Sequence, residues 1–215
     1  MELLYSDKDI AVCIKPPGIS SEEGPEGLPA LLRQALGGEI FPVHRLDLNV
    51  GGVMVYARTK AAAGRLSQAV QSGAMVKEYL ALVHGQPSPP EGIWEDLLWK
   101  DSQKNKVFVV TRPRRGVKAA RLAYRLLEAQ ESQSLVHIRL YTGRSHQIRV
   151  QFASRGYPLL GDHKYGSRDP AKAPALWSFR LTFPHPATGK DAVFQRLPSP
   201  EAGFPALGAD IPPLG

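Results

Sequence analysis

The chain has 215 residues, an apolar share of 43% and a formal charge of +7, with an isoelectric point near 9.6. That length suits one sizeable core, and the basic balance favours a polyanionic partner, because each Lys or Arg that meets a phosphate releases condensed counterions. The single Cys13 excludes an internal disulfide and a cysteine zinc cluster, and the six His residues lack metal-ligand spacing, so no metal is expected.

The N-terminal MELLYSDKDIAV carries acids where a signal peptide would carry basic residues. No apolar run approaches the roughly 20 residues of a membrane span. A soluble, cytoplasmic protein without a membrane partner is expected. Ile10 to Lys15 reads as a strand that runs into the KPPG turn, and Leu28 to Leu36 as a short helix with Pro29 in its first turn. A buried strand follows over Val53 to Ala57. Thr59 is placed to cap a helix from Lys60 to Gln71, with Ala63, Leu66 and Val70 on one face and Gly73 as its stop.

Val76 to Val83 alternates as a strand, which sets Lys77 and Tyr79 on one face and Glu78, Leu80 and Leu82 on the other. Further strands are expected at Ile93 to Trp99, Lys106 to Val110, Ala119 to Leu127, Leu135 to Tyr141, Leu176 to Phe183 and Ala192 to Leu197. Ser145 is expected to cap a helix from His146 to about Arg155. Many strands with few helices make an α+β domain over residues 1–197, and the Pro- and Gly-rich residues 198–215 read as a loosely ordered tail.

Chemistry concentrates in two segments. FPVHRLDLNVGG crowds His44, Arg45 and Asp47 beside a Gly pair, where charges are costly unless used or paired. Asp47 there is either a turn carboxylate or a nucleophile. A kinase catalytic loop is excluded, because Leu46 interrupts HRD and no glycine-rich phosphate loop accompanies it. In GRSHQIRVQFASRGYPLLGDHKYG, Arg149 lies on an otherwise apolar helix and requires an anionic partner, since guanidinium keeps its charge on burial. Asp47 is the candidate, either in a structural salt bridge or at an active site.

Taken in order, DKDIAVCIKPPGISS, HRLD, KEYLALVHG and GRSHQIRVQFASRGYPLLGDHKYG resemble the RluA-type family of pseudouridine synthases over about Ser6 to Tyr165, and more loosely to Arg196. The resemblance implies a mixed, largely antiparallel central sheet flanked by a few helices, with a catalytic cleft. It implies Asp47 as the catalytic aspartate, Tyr79 as the residue that stacks on the target base and handles the C5 proton, and Arg149 as the partner of the aspartate. Arg45 would fill the place of the flipped nucleotide and Ile148 would line the uracil pocket. Lys15 and His44 are counted with them at the substrate, Lys15 in a supporting role. Val50 and Gly51 stand where many relatives carry Thr and Ser, and Gln151 stands where a His is common. An S4-like RNA-binding domain is expected to be absent.

The implied reaction breaks the C1′–N1 bond of uridine, turns the uracil and rejoins it through C5, with no cofactor. The carboxylate either adds to C1′ or removes the C2′ proton. A cation beside it keeps it charged, and flipping the nucleotide out of its stack costs on the order of a few kcal/mol. Lys104, Lys106, Arg112, Arg114, Arg115, Lys118, Arg121 and Arg125 form a basic stretch that reads as a phosphate-binding rim or as a solvated face. The expected partner is ribosomal or transfer RNA, bound by a monomer. Two other functions are compatible with the same residues: a non-catalytic RNA-binding or chaperone protein, and a nucleoside hydrolase.

Overall fold

The computed structural model describes residues 1–205, 207–208 and 211–214. Its first half runs β1 (Glu2–Ser6), β2 (Ile10–Lys15), α1 (Leu28–Leu36), β3 (Phe41–Pro42), β4 (Gly51–Ala57), α2 (Lys60–Ser72) and β5 (Val76–His84). Then come β6 (Glu91–Asp101), β7 (Lys106–Val110), β8 (Val117–Ala129), β9 (Gln133–Leu140), α3 (Gln147–Ala153), β10 (Leu176–Pro184) and β11 (Asp191–Gln195). They fall into two compact units, Met1–Lys77 with Trp177–Pro198, and Glu78–Leu176 with the chain from Ser199 onward. The expected α+β class holds, with mixed but mainly antiparallel pairing. Among the described residues no helix is long and apolar enough to cross a membrane.

In the first unit the strands lie in the order β1, β2, β4, β10, with β11 on β10 and β3 on β4. Strands β2 and β4 are buried at every residue, as the runs IAVCIK and GGVMVYA require. They pair antiparallel from Ile10 opposite Ala57 to Lys15 opposite Gly52, whereas β4 and β10 are parallel at Gly51–Trp177 and Gly52–Ser178. Helix α2 packs on β4 and has the expected ends: Thr59 Oγ1 accepts from Ala62 N, and Gly73 turns left-handed at φ 77. Its buried stripe is Ala62, Leu66 and Ala69 rather than Ala63, Leu66 and Val70. Small side chains let the helix backbone come close to the sheet, and the bulkier Val70 is turned partly outward.

In the second unit the order is β5, β9, β8, β6, β7. Helix α3 packs on β6 and β7, where Val150 joins a core of Leu98, Val107 and Ala120, and Phe152 meets Trp94 and Tyr124 at centroid distances of 4.6 and 5.9 Å. The helix is shorter than expected, and His146, at φ 50, takes the N-cap position without a side-chain cap. No side chain takes the cap expected of Ser145, and Gln147 instead braces the turn before the helix: its Oε1 accepts from Arg144 N at 3.0 Å and from Thr142 Oγ1 at 2.8 Å, while its Nε2 donates to Arg121 O. Gln151 is fully buried, donates to Asp96 at 2.6 Å and anchors α3 to β6.

The segment after Pro198 is not loose where it is described. Phe204, Ile211 and Leu214 are buried, Leu214 N donates to Glu78 Oε1 at 3.0 Å, and Leu214 O accepts from Arg139 at 2.6 Å. Its apolar residues are scattered among Pro and Gly, so composition and periodicity both hide them. A cavity of about 380 Å³ beneath residues 200–205, walled by Leu82, Leu135, Leu160 and Phe204, contains none of the candidate site residues.

Candidate active site

Lys15 ends β2 with its side chain wholly inside the protein. An ammonium has three donors, and here they reach Pro16 O at 3.0 Å, Ile19 O at 2.8 Å and Leu48 O at 2.9 Å. Gly18 N donates to the same Leu48 carbonyl. On the other side of Asp47, Leu46 N donates to Ser21 Oγ and Ser21 Oγ donates to Leu46 O. Both chain neighbours of the half-buried Asp47 are therefore fixed through their backbone, and a Val50 N to Asp47 O bond closes the turn. Burial pushes the Lys15 ammonium down to about 8, against the opposing pull of Asp47.

Arg45 is exposed and donates to Glu22 at 3.1 Å, a surface pair worth about 1 kcal/mol or less. His44 accepts at Nε2 from Val55 N at 3.2 Å, which ties the start of the HRLD segment to β4, and its Nδ1 is buried. Burial, and behind it the charge of Lys77, push this imidazole down to about 3 from an ordinary 6.5. A folded value below the unfolded one gives stability that is complete above about pH 6.5 and is lost as the pH falls towards 3. Urea midpoints between pH 7 and 4 should therefore decline with a slope from this group approaching about 1.4 kcal/mol per pH unit, and less steeply in His44→Gln. Equal slopes for the two proteins would refute this.

Glycine at position 51 has a steric cause. A Cβ on Gly51 would lie 2.4 Å from Trp177 Cζ3 and 3.1 Å from Pro17 Cδ, so the indole, held by its Nε1 bond to Arg196 O at 2.8 Å, fills the space a serine would need. Gly51→Ser is expected to cost about 1–3 kcal/mol, and distinctly less in a Trp177→Ala background. Additive costs in the double-mutant cycle would rule the explanation out.

In the second unit Tyr79 lies on β5 and is buried, while Ile148 and Arg149 sit in the first turn of α3. Arg149 is held by a carboxylate that sequence reasoning passed over: Nε donates to Asp162 Oδ2 at 2.7 Å and Nη2 to Asp162 Oδ1 at 2.8 Å. Its guanidinium lies 5.1 Å from the Tyr165 ring centroid. Both residues belong to GDHKYG, where Gly-Asp reads as a turn and nothing marks the acid as buried. The only available signal was that an interior arginine needs an anion close at hand.

The basic stretch divides in two. Arg121 and Arg125 stand opposite Glu95 and Glu91 in the β6–β8 register and pair with them at 3.2 and 2.9 Å. Strand pairing thus sets two acids of β6 against this stretch. Lys104, Arg112, Arg114, Arg115 and Lys118 are exposed around the β6–β7 turn and the β7–β8 loop, with Arg114 over Trp99 at 4.6 Å. Lys106 lies 5.4 Å from the ring centroid of Tyr165, so the same ring contacts both this rim and Arg149.

A family model described as RNA pseudouridylate synthase matches residues 9–154. The dual-specificity RNA pseudouridine synthase RluA of Escherichia coli K12 is 36% identical over 205 residues, covering 90% of this chain and 91% of that protein. The uncharacterized RNA pseudouridine synthase YlyB of Bacillus subtilis 168 is 32% identical over 94% of this chain and 70% of its own length. The structure of human RNA pseudouridylate synthase domain containing 4 superposes with a TM-score of 0.77 at 25% identity, covering 92% of this chain and 88% of that one.

Proposed function

The chain belongs to the RNA pseudouridylate synthase family, and on that footing we propose that Asp47 is the nucleophile that opens the reaction on a flipped-out uridine. The protein is an enzyme, an RNA pseudouridine synthase, which isomerises uridine within RNA. The observation that carries the role of Asp47 is the rigidity of its setting. A carboxylate whose neighbouring residues are fixed by Lys15 and Ser21 is pre-organised, and orientation supplies much of the rate in such steps.

In the proposed course the carboxylate adds to C1′, or takes the C2′ proton, as the C1′–N1 bond breaks. The uracil turns and forms the C1′–C5 bond as the C1′–carboxylate bond breaks, or as C2′ regains its proton, which frees Asp47; the C5 proton then leaves and N1 takes up a proton, which restores the aromatic base. Tyr79 gives the uracil a flat face and accepts the C5 proton, Ile148 lines the base pocket, and Arg149 supplies the counter-charge to Asp47. Arg45, exposed and held only by a surface pair, enters the space the nucleotide leaves. Lys104, Lys106, Arg112, Arg114, Arg115 and Lys118 grip phosphates of ribosomal or transfer RNA.

Unmodified ribosomal and transfer RNA incubated with the protein should gain carbodiimide-dependent reverse-transcription stops at discrete uridines, with no free uracil released. No stops on either RNA class would sink the reading. Free uracil would make the protein a hydrolase instead.

A further inference from the structure

We propose that the indole of Trp99 is a stacking platform for an unpaired nucleobase of the substrate RNA, on the face of the β6–β7 hairpin that is turned away from α3. The inference rests on the phosphate-binding role given above to the basic stretch, and it names what that stretch binds besides phosphate. Strand alternation decides which way the ring faces. Leu98 on β6 and Val107 on β7 share a core with Val150 of α3, so Trp99 and Phe108, which alternate with them, lie on the opposite face. Trp99 and Phe108 stand directly opposite each other in the β6–β7 register, with ring centroids 6.2 Å apart, and both are only half-buried. Two large rings side by side and partly in water form a flat apolar surface that a base can cover.

A cation stands at each end of this ring pair. The Arg114 guanidinium lies 4.6 Å from the indole centroid. The β7–β8 turn carries it there: Val117 N donates to Arg114 O at 3.0 Å, Gly116 is left-handed at φ 84, and Val117 pairs with Trp99 across β6 and β8. At the other end Lys106 Nζ lies 5.8 Å from the Phe108 centroid and 5.4 Å from that of Tyr165. Asp101, the acid beside them, accepts at Oδ1 from Gln103 N and Lys104 N and so braces the β6–β7 turn. An exposed guanidinium on an indole is a weak contact, and a nucleobase offers the ring a broader face. A base that takes the indole displaces Arg114, whose guanidinium then meets the phosphate of that nucleotide, while Lys106 holds a neighbouring one. Paired bases keep their faces inside the helical stack, so the platform selects single-stranded nucleotides.

The test uses the full-length protein and fluorescence-anisotropy titrations of two labelled oligomers of about 12 nucleotides, within the range of a single-strand site. One is oligouridine, whose bases scarcely stack on one another, and the other is an abasic ribose-phosphate chain of equal length. Trp99→Ala should weaken oligouridine binding by roughly tenfold and leave the abasic chain within about twofold, and Trp99→Phe should keep most of the affinity. Arg114→Ala should weaken both oligomers and lower the slope of log affinity against log salt by about 0.7, the value for one phosphate of a single strand, whereas Trp99→Ala should leave that slope unchanged. Oligouridine should also quench a part of the tryptophan emission that is missing in Trp99→Phe. Equal losses on the two oligomers in Trp99→Ala, or no loss on either, would overturn the proposal. So would a quenching amplitude unchanged in Trp99→Phe, which decides the matter if Trp99→Ala does not fold. A wild type that binds neither oligomer would remove the phosphate-binding reading as well, while binding of both without an effect of Trp99 removes the platform alone. None of these measurements needs turnover, so the role of Asp47 stands or falls separately.

Discussion

Asp47→Asn is expected to reduce pseudouridine formation by at least about 10³-fold, equivalent to about 4 kcal/mol or more of barrier, while RNA affinity changes by less than about threefold. The amide is nearly isosteric with the carboxylate, and it lacks the charge and basicity needed either to add to C1′ or to take a C2′ proton. The loop around it is fixed through the backbone of its neighbours, from Leu46 by Ser21 and from Leu48 by Lys15, and these bonds remain in the variant. Single-turnover assays with filter binding on the same RNA, and melting curves on the free protein, separate these quantities. Residual activity within tenfold of wild type would remove Asp47 from the chemistry, and a matching loss of affinity would make it a binding residue.

Much of this architecture is legible in the sequence, for physical reasons that differ from element to element. Helix α1 was readable from Pro29 at its start, and α2 from Thr59 and Gly73 at its ends, since caps are local hydrogen-bond chemistry. Strands β2, β4 and β5 announce themselves as apolar runs between turn formers. Strand β1 does not: ELLYS is a mixed sequence, and it becomes a strand because β2 lies beside it. The rest was hidden because it depends on partners distant in sequence. Trp177 dictates glycine at position 51, Glu91 and Glu95 partly neutralise the basic stretch, and the tail is held by Glu78 and Arg139.

The candidate site shows the same division. HRLD, KEY and HQIR point to Asp47, Tyr79 and Arg149 because their order along the chain resembles that of a known family. What holds them was not legible. Lys15 could be given only a supporting role from its place in KPPG, and the structure shows what it supports, namely three carbonyl oxygens of which one follows Asp47. Asp162 lies within GDHKYG, where no local pattern gives it a role. Its burial arises from the packing of the His163–Tyr165 turn near α3, which no local pattern reports.

Gly52→Ala is expected to remove a large part of the protein's stability although it adds a single methyl group far smaller than the residues around it. Gly52 pairs with Ser178 where β4 and β10 run parallel, at φ 125. A Cβ there would stand 2.2 Å from Ser178 O, 2.6 Å from its N and 2.7 Å from its carbonyl carbon. These are backbone atoms, so no side-chain rotation relieves the clash, and the strands must separate. The φ strain adds about 1–3 kcal/mol to an overpacking cost of about 3 kcal/mol or more, against a total stability for a domain of about 5–15 kcal/mol. Separation would also disturb the Lys15–Gly52 register of β2 and β4, and with it the ammonium that holds Leu48 beside Asp47. Gly64→Ala is the matched control, because nothing lies within 4 Å of a Cβ at that position in α2, and it should gain roughly 0.5–1 kcal/mol from helix propensity. Urea titrations in which the two alanine variants are equally stable would show that β4 and β10 can part at Gly52 without cost, and that the active loop is anchored elsewhere.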